Sequence, residues 1–440
     1  MESTRYSRIE YWMKQIRLLG KECNALLIMV GTHCENCSEE KIESVKQTLL
    51  TRYPRYSYPA FQSKIFAVSG KTGQGIRELK KELIQLARST HTSTVVPAAW
   101  VQLHEMLKGH REIGTNYVNW SIYSSWASQC GLQSDNISMA TEHLHNSGSL
   151  IYFPNEELKD LVIVNPQWLA DVMACLITIK NNFVVSGYID AEYFPEIFRN
   201  YESIVDTIVR LLEQFKIVHP MNNEKTRYLV PSLLPNSRPS AEIASIYPVA
   251  LPAGLTTLGR VFRFSQMPLG LFGRLMVTLL QRKDVTGKVF WREGVVTSLK
   301  LPDDADILTI TEYEQDRYQL SIYIRYSPAN RQEALKEWRA LLEIIKTLIE
   351  SFYPQLMHSM KELVPCIHCM RKRRYRERVY LFPYSDCDSA QSEGFLYCQR
   401  IPSPSRCVFV SQLAPDIYLA DLPRLESESL TVGKLLGEGG

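Results

Sequence analysis

Leu144-His-Asn-Ser-Gly-Ser-Leu-Ile-Tyr-Phe153 is followed, across a charged turn, by Leu161-Val-Ile-Val-Asn-Pro-Gln-Trp-Leu-Ala-Asp-Val-Met173. Ser149–Phe153 and Leu161–Val164 are short apolar runs, the pattern of two paired strands. Pro166 then opens an apolar helix reaching Ile177, because a proline in the first helical turn forgoes only an N–H that has no partner there. Upstream, helical spacing recurs near Ser121–Gln129 and Ile137–Asn146, and Pro97–Leu107 opens another helix. Helices followed by a hairpin predict an α+β lobe resembling a winged helix.

A winged helix raises the alternative of a nucleic-acid-binding protein. That function concentrates Lys and Arg on one helix, since phosphate neutralisation supplies most of the affinity. The third helix, Ile137–Asn146, contains two His and a Glu but no Lys or Arg. The sequence therefore argues against nucleic acid as a partner.

The chain has 440 residues, which at about 100–200 residues per domain implies two to four domains. Its formal charge of +3 gives no general attraction to nucleic acid or membrane. No apolar run reaches the ~18 residues that a membrane span requires, and Met1 is followed by polar residues rather than by a secretory signal, so a cytoplasmic protein is expected. The ten cysteines are then expected to be reduced thiols or metal ligands.

Towards the N-terminus, Arg8–Leu19 has helical spacing, Ala25–Val30 and Lys64–Val68 read as buried parallel strands, and Ser38–Tyr53 and Ile76–Arg88 read as helices. This alternation predicts half of a doubly wound α/β domain, whose ligands sit beyond the carboxyl ends of the strands. Both polar motifs fall there: Val30-Gly-Thr-His-Cys-Glu35 and Val68-Ser-Gly-Lys71. They resemble the guanine-recognising end of a Ras-type GTPase, with a generic strand-end turn as the competing reading.

The resemblance places Thr32, His33, Glu35, Ser69, Gly70 and Lys71 in a guanine site. Guanine offers donors at N1 and its exocyclic amine, which Glu35 can accept. The Gly70 backbone N–H can meet O6, Lys71 can lay its stem over the base, and Ser69 can brace the loop. Ras-like proteins have Asp where Glu35 stands, and the added methylene displaces a carboxylate whose contacts must lie at ~2.7–3.2 Å. No G-x-x-x-x-G-K-[ST] occurs, and no upstream strand carries a Mg-associated Asp, so neither GTP binding nor hydrolysis is expected of this chain.

Residues 245–325 change period. Val249–Phe264, Lys288–Leu301 and Ile307–Tyr326 are rich in β-branched and aromatic residues, Met267–Arg282 reads as a helix, and Glu333–Met360 as one long amphipathic helix. Beyond it, Cys366, Cys369, Cys387 and Cys398 have spacings open to a tetrahedral Zn site, with His368 and Cys407 as spare candidates. A second C-x-x-C is missing, so a reduced pair in an irregular connector is the competing reading. Met370–Arg378 is a basic run, read as a solvated face, with contact to an acidic surface as the sharper alternative.

With Tyr228-Leu-Val-Pro-Ser-Leu-Leu234, the two stretches quoted first closely resemble the COR domain that follows the Ras-like Roc domain in Roco proteins. Thr32–Glu35, as a variant of the family's THxD, and the Val-Pro start near Val96 agree with it. The resemblance covers essentially the whole chain and is strongest over 95–235. It implies a partial α/β Ras-like domain, the C-terminal half of Roc, at 1–90. A two-lobed α+β COR domain follows, with a winged-helix-like first lobe at 95–240 and a β-rich second lobe with a long helix and Cys-containing connector at 245–425. The start of a kinase domain is implied at 427–440.

In that last segment Gly437, Gly439 and Gly440 resemble the glycines of an ATP-covering loop. A Gly-rich tail is the alternative. The kinase Lys, His-Arg-Asp and Asp-Phe-Gly elements are missing, so no ATP chemistry is expected. The family dimerises through the second lobe, which implies a homodimer contact within 245–360. Exposed aromatic strands could supply it, although such strands more often form core. The chain is thus expected to be the middle of a larger signalling protein, whose full-length parent would use GTP/GDP and ATP with Mg.

Overall fold

The computed structural model describes residues 9–13, 27–53, 61–90, 95–178, 182–265, 270–301, 306–314, 317–371, 379–400 and 406–418. The chain divides into two compact units, one spanning Lys21–Leu103 and the other the remainder. The expected glycine loop at 427–440 and most of the basic run lie outside the described residues, as does most of the expected helix Arg8–Leu19, of which positions 9–13 are helical.

In the first unit, strands β1 (Leu27–Gly31) and β2 (Phe61–Ala67) pair in parallel. Helices Glu39–Arg52 and Ile76–Thr90 follow them, the α/β alternation read from the sequence. The Ser38 side chain accepts from the Lys41 backbone N–H at the start of the first helix, satisfying one donor that helical geometry leaves free. Gly75 has φ 74°, and a Cβ there would lie 2.3 Å from the Ala67 carbonyl oxygen, so only glycine fits this turn into the second helix.

In the second unit, β3 (Tyr117–Asn119), β4 (Ile151–Tyr152) and β5 (Leu161–Ile163) form a sheet in the order β3-β5-β4. Helices Trp120–Gln129 and Ser134–Asn146 lie between β3 and β4 in the chain. The helix Pro166–Ile177 starts as expected, with the Asn165 side chain accepting from the Gln167 backbone N–H. A further sheet, β6 (Tyr188–Asp190), β7 (His219–Pro220) and β8 (Arg227–Leu229), has the order β6-β8-β7. Trp168, Leu169, Val172, Ile208, Leu211 and Leu212 bury one apolar core against these strands.

A seven-stranded sheet follows, in the order β10-β11-β12-β13-β9-β14-β15. Its strands are β9 (Thr256–Arg263), β10 (Val285–Trp291), β11 (Gly294–Lys300), β12 (Asp306–Glu314), β13 (Gln319–Tyr326), β14 (Lys361–Pro365) and β15 (Leu381–Pro383). Alternation assigns the faces: Leu320, Ile322 and Ile324 pack with Leu275, Leu341 and Ile345 of the helices, while Val296 and Ile310 pack with Ile243 and Tyr247.

Two expectations need correction here. The helix expected over Glu333–Met360 is Arg331–Phe352 followed by a separate helix Pro354–Ser359. Pro354 lacks an N–H and disfavours helical geometry in Tyr353, which sits at φ −142°, ψ 55°. The single segment Lys288–Leu301 is a hairpin, β10 and β11, turning at Arg292-Glu293. The aromatic strands are chiefly core: Phe262, Phe264, Trp291 and Tyr326 are all buried.

Candidate functional site

Three polar groupings stand out, each on elements that the local sequence explains. The first lies where β1 and β2 end. Val68 donates to the Gly31 carbonyl and Cys34 to the Val68 carbonyl, which holds the two strand-end loops side by side. His33 adopts a left-handed conformation, φ 59°, and Cys34 is buried beneath the turn. This brings Glu35 to Ser69. The Ser69 hydroxyl, fully buried, hydrogen-bonds the Glu35 carboxylate and is the chief cause holding it below the usual carboxylate value; the Glu35 backbone N–H and His33 act in the same sense.

Among the described residues, Glu35 Oε2 has no hydrogen-bond partner. Ser69 Oγ also accepts from the Thr72 N–H at 3.1 Å, and the Ser69 carbonyl from Gly73, so the second loop is a rigid support for the first. Thr32, His33, Gly70 and Lys71 are exposed around this pair. A Cβ at Gly70 would meet nothing within 4 Å. The loop therefore imposes no steric demand for glycine at 70, in contrast to Gly75, which the sequence reading passed over.

The second grouping is the cysteines. Cys366 stands directly between β14 and the short helix Ile367–Arg371, so the C-x-x-C belongs to the sheet margin instead of an irregular connector. Cys398 follows β16 (Phe395–Tyr397), which pairs with β17 (Cys407–Phe409). The Sγ atoms of Cys366, Cys369 and Cys398 all lie within 4.8 Å of one another, and all three residues are buried. Cys387 is buried as well but stands outside this cluster, on the helix Tyr384–Ser389, where Arg260, Asp386 and Asp416 act on it. His368 and Cys407 are also outside it.

Sequence reasoning missed the third grouping. Arg260, on the face of β9 that also carries Leu258 and Phe262, has no exposed side-chain surface. Its Nη2 donates to both oxygens of Asp416 at 2.7 Å, and its Nε lies 3.4 Å from Glu362 Oε1. The guanidinium stacks 4.4 Å from the Tyr384 ring centre, Trp338 Nε1 and the Tyr384 hydroxyl donate to Asp416, and Lys346 pairs with Glu362 at 3.0 Å. Two cations thus face two carboxylates, the condition under which buried charge is tolerated. The signal was available: an arginine at a core position of an alternating strand needs a buried partner.

Among the described residues, no helix is long and apolar enough to cross a membrane. Two family models match the chain: the COR-A domain, C-terminal of Roc, over residues 97–234, and the COR-B domain, C-terminal of Roc, over residues 256–416. The probable serine/threonine-protein kinase pats1 of Dictyostelium discoideum is 27% identical over 456 residues, covering 99% of this chain and 13% of its own length. The probable serine/threonine-protein kinase qkgA of the same organism is 26% identical over 366 residues, covering 68% of this chain and 23% of its own. The chain spans less than a quarter of either relative. The solved structure of Methanosarcina barkeri Roco2 RocCORdC bound to GDP is similar at a TM-score of 0.37 and 17% identity, covering 53% of this chain and 70% of that one, a likeness too slight to carry a structural argument.

Proposed function

The chain belongs to the Roco family of Roc-COR proteins, and from that premise we propose that it is the coupling and self-association module of a signalling GTPase and serine/threonine kinase. Residues 27–90 carry a guanine-reading edge, and the two COR lobes carry the contact between copies. Neither part performs catalysis in this chain. The observation that supports the reading is the placement of Glu35 where the two strand-end loops meet, its carboxylate braced by the Ser69 hydroxyl with Thr32, His33, Gly70 and Lys71 exposed around it.

Phosphate binding has no counterpart in these 440 residues, since no G-x-x-x-x-G-K-[ST] occurs. Backbone N–H cradles and a Mg site supply most of the hold on a nucleotide, so the base alone binds weakly. Titration with fluorescent GTP is expected to give no saturable, Mg-dependent signal. Binding at micromolar affinity would overturn this. In a polypeptide that also supplies a phosphate loop, Glu35→Ala should erase the preference for guanine over adenine nucleotides; a retained preference removes Glu35 from the account.

Self-association is assigned to the second lobe by its family resemblance. Because the aromatic strands chiefly fill the lobe's own core, the contact within 245–360 falls to its exterior, where Val249 and Tyr318 are exposed. The nucleic-acid alternative has no observation in its favour. Helix Ser134–Asn146 has no Lys or Arg and buries Ile137, Ala140, Thr141 and Leu144.

A further inference from the structure

Cys366, Cys369 and Cys398 form a buried cluster that the reading above does not use and does not depend on. We propose that these three thiols are the protein ligands of one zinc ion, which ties the end of β14 to the β16–β17 hairpin. Cys369 Sγ and Cys398 Sγ are 3.6 Å apart. In a tetrahedral site with Zn–S bonds of ~2.3 Å, sulfurs stand about 3.8 Å from one another, so this pair is already at ligand separation. Both are free thiols, as is Cys366.

Three buried thiols within 4.8 Å of one another have only weak S–H donors and weak sulfur acceptors to offer each other. A soft-ligand metal such as zinc would supply the partner they lack, binding as thiolates with release of their protons.

The geometry also selects the ligands. Cys366 and Cys369 are three residues apart across a helical turn and share a face, whereas His368, two residues from Cys366, falls on the opposite side. On the hairpin, Cys407 pairs with Tyr397 and Phe409 with Phe395, the outward face, while Leu396, Val408 and Cys398 turn inward. The fourth corner of the tetrahedron is left to an exogenous donor.

The test uses the full 440-residue chain, purified under reducing conditions without chelator. Elemental analysis is expected to give about one zinc per chain. Cys366→Ser, Cys369→Ser and Cys398→Ser should each lose it, and Cys387→Ser and Cys407→Ser should keep it. Replacement by Co(II) in the unmutated protein should produce thiolate-to-cobalt charge transfer with tetrahedral d–d bands, which no misfolded variant can confuse. A metal-free chain after dialysis against zinc, zinc content indifferent to all three serine variants, or a Cys369–Cys398 disulfide in place of metal would overturn the assignment.

Discussion

Leu27–Thr90 and the seven-stranded sheet region handle apolar surface in opposite ways. In the first, two parallel strands stand with Val30, Val45, Leu83 and Ile84 at 40–54% exposure. In the second, β9, β11 and β13 are largely buried on both faces, and the enclosed charges Arg260 and Glu337 are paired, with Asp416 and Arg282. A parallel pair is stable only when both faces are covered, whereas an antiparallel sheet with helices on one side completes its own core. On the function proposed above, the contrast separates stability, held by the COR lobes, from recognition, assigned to the strand-end loops.

Three perturbations should break or sharpen that contrast. The largest is Asp416→Ala, which leaves the buried Arg260 guanidinium with Glu362 alone, a carboxylate that Lys346 already shares. Removing one partner of a buried pair costs about 3–5 kcal/mol, so denaturant unfolding should shift by that amount while amide exchange in 27–90 stays as it was. A loss below about 1 kcal/mol would mean that the node is effectively solvated.

Gly75→Ala should act on the other region alone. It places a Cβ against the Ala67 carbonyl at a positive φ, which costs about 2 kcal/mol and should speed amide exchange in 61–90 without touching 256–365. Faster exchange in the sheet would show that the two regions unfold together.

The smallest effect is pH dependence at the joint between the lobes. His219 donates to the Leu280 carbonyl, and burial beside Lys216, whose side chain bonds Gln281, lowers it to about 4. Burial likewise lowers Lys216 to about 8. A histidine held neutral in the fold binds its proton only when unfolded, so its contribution is intact above about pH 6.5 and is lost as pH falls towards about 4. Between pH 7 and 5 the loss is on the order of 1–2 kcal/mol, and His219→Gln should flatten it.

The sequence made legible what is local. Asn165-Pro166 marks a helix start through a side-chain cap and a proline that needs no N–H, and the helix begins there. Pro354 carried an equally physical signal, and the long helix does break at it. The sheet β6-β8-β7 escaped reading because its strands of two or three residues are not set within apolar runs, unlike β4 and β5. The Arg260–Asp416 pair joins residues 156 apart, which no spacing rule reaches. For the cysteines, C-x-x-C was readable and Cys398 joined it, but nothing in the spacing told Cys398 from Cys387, since that difference lies in which face of the hairpin or helix each side chain takes.

The central claim is that the chain works by associating with itself. A stable dimer usually buries about 1,200 Å² or more, which a lobe of this size can supply. Sedimentation velocity on the full chain across a dilution series measures it directly. The account predicts a homodimer at tens of micromolar that is retained by a polypeptide spanning 95–425. A single monomeric species at those concentrations, unchanged on dilution, would contradict it.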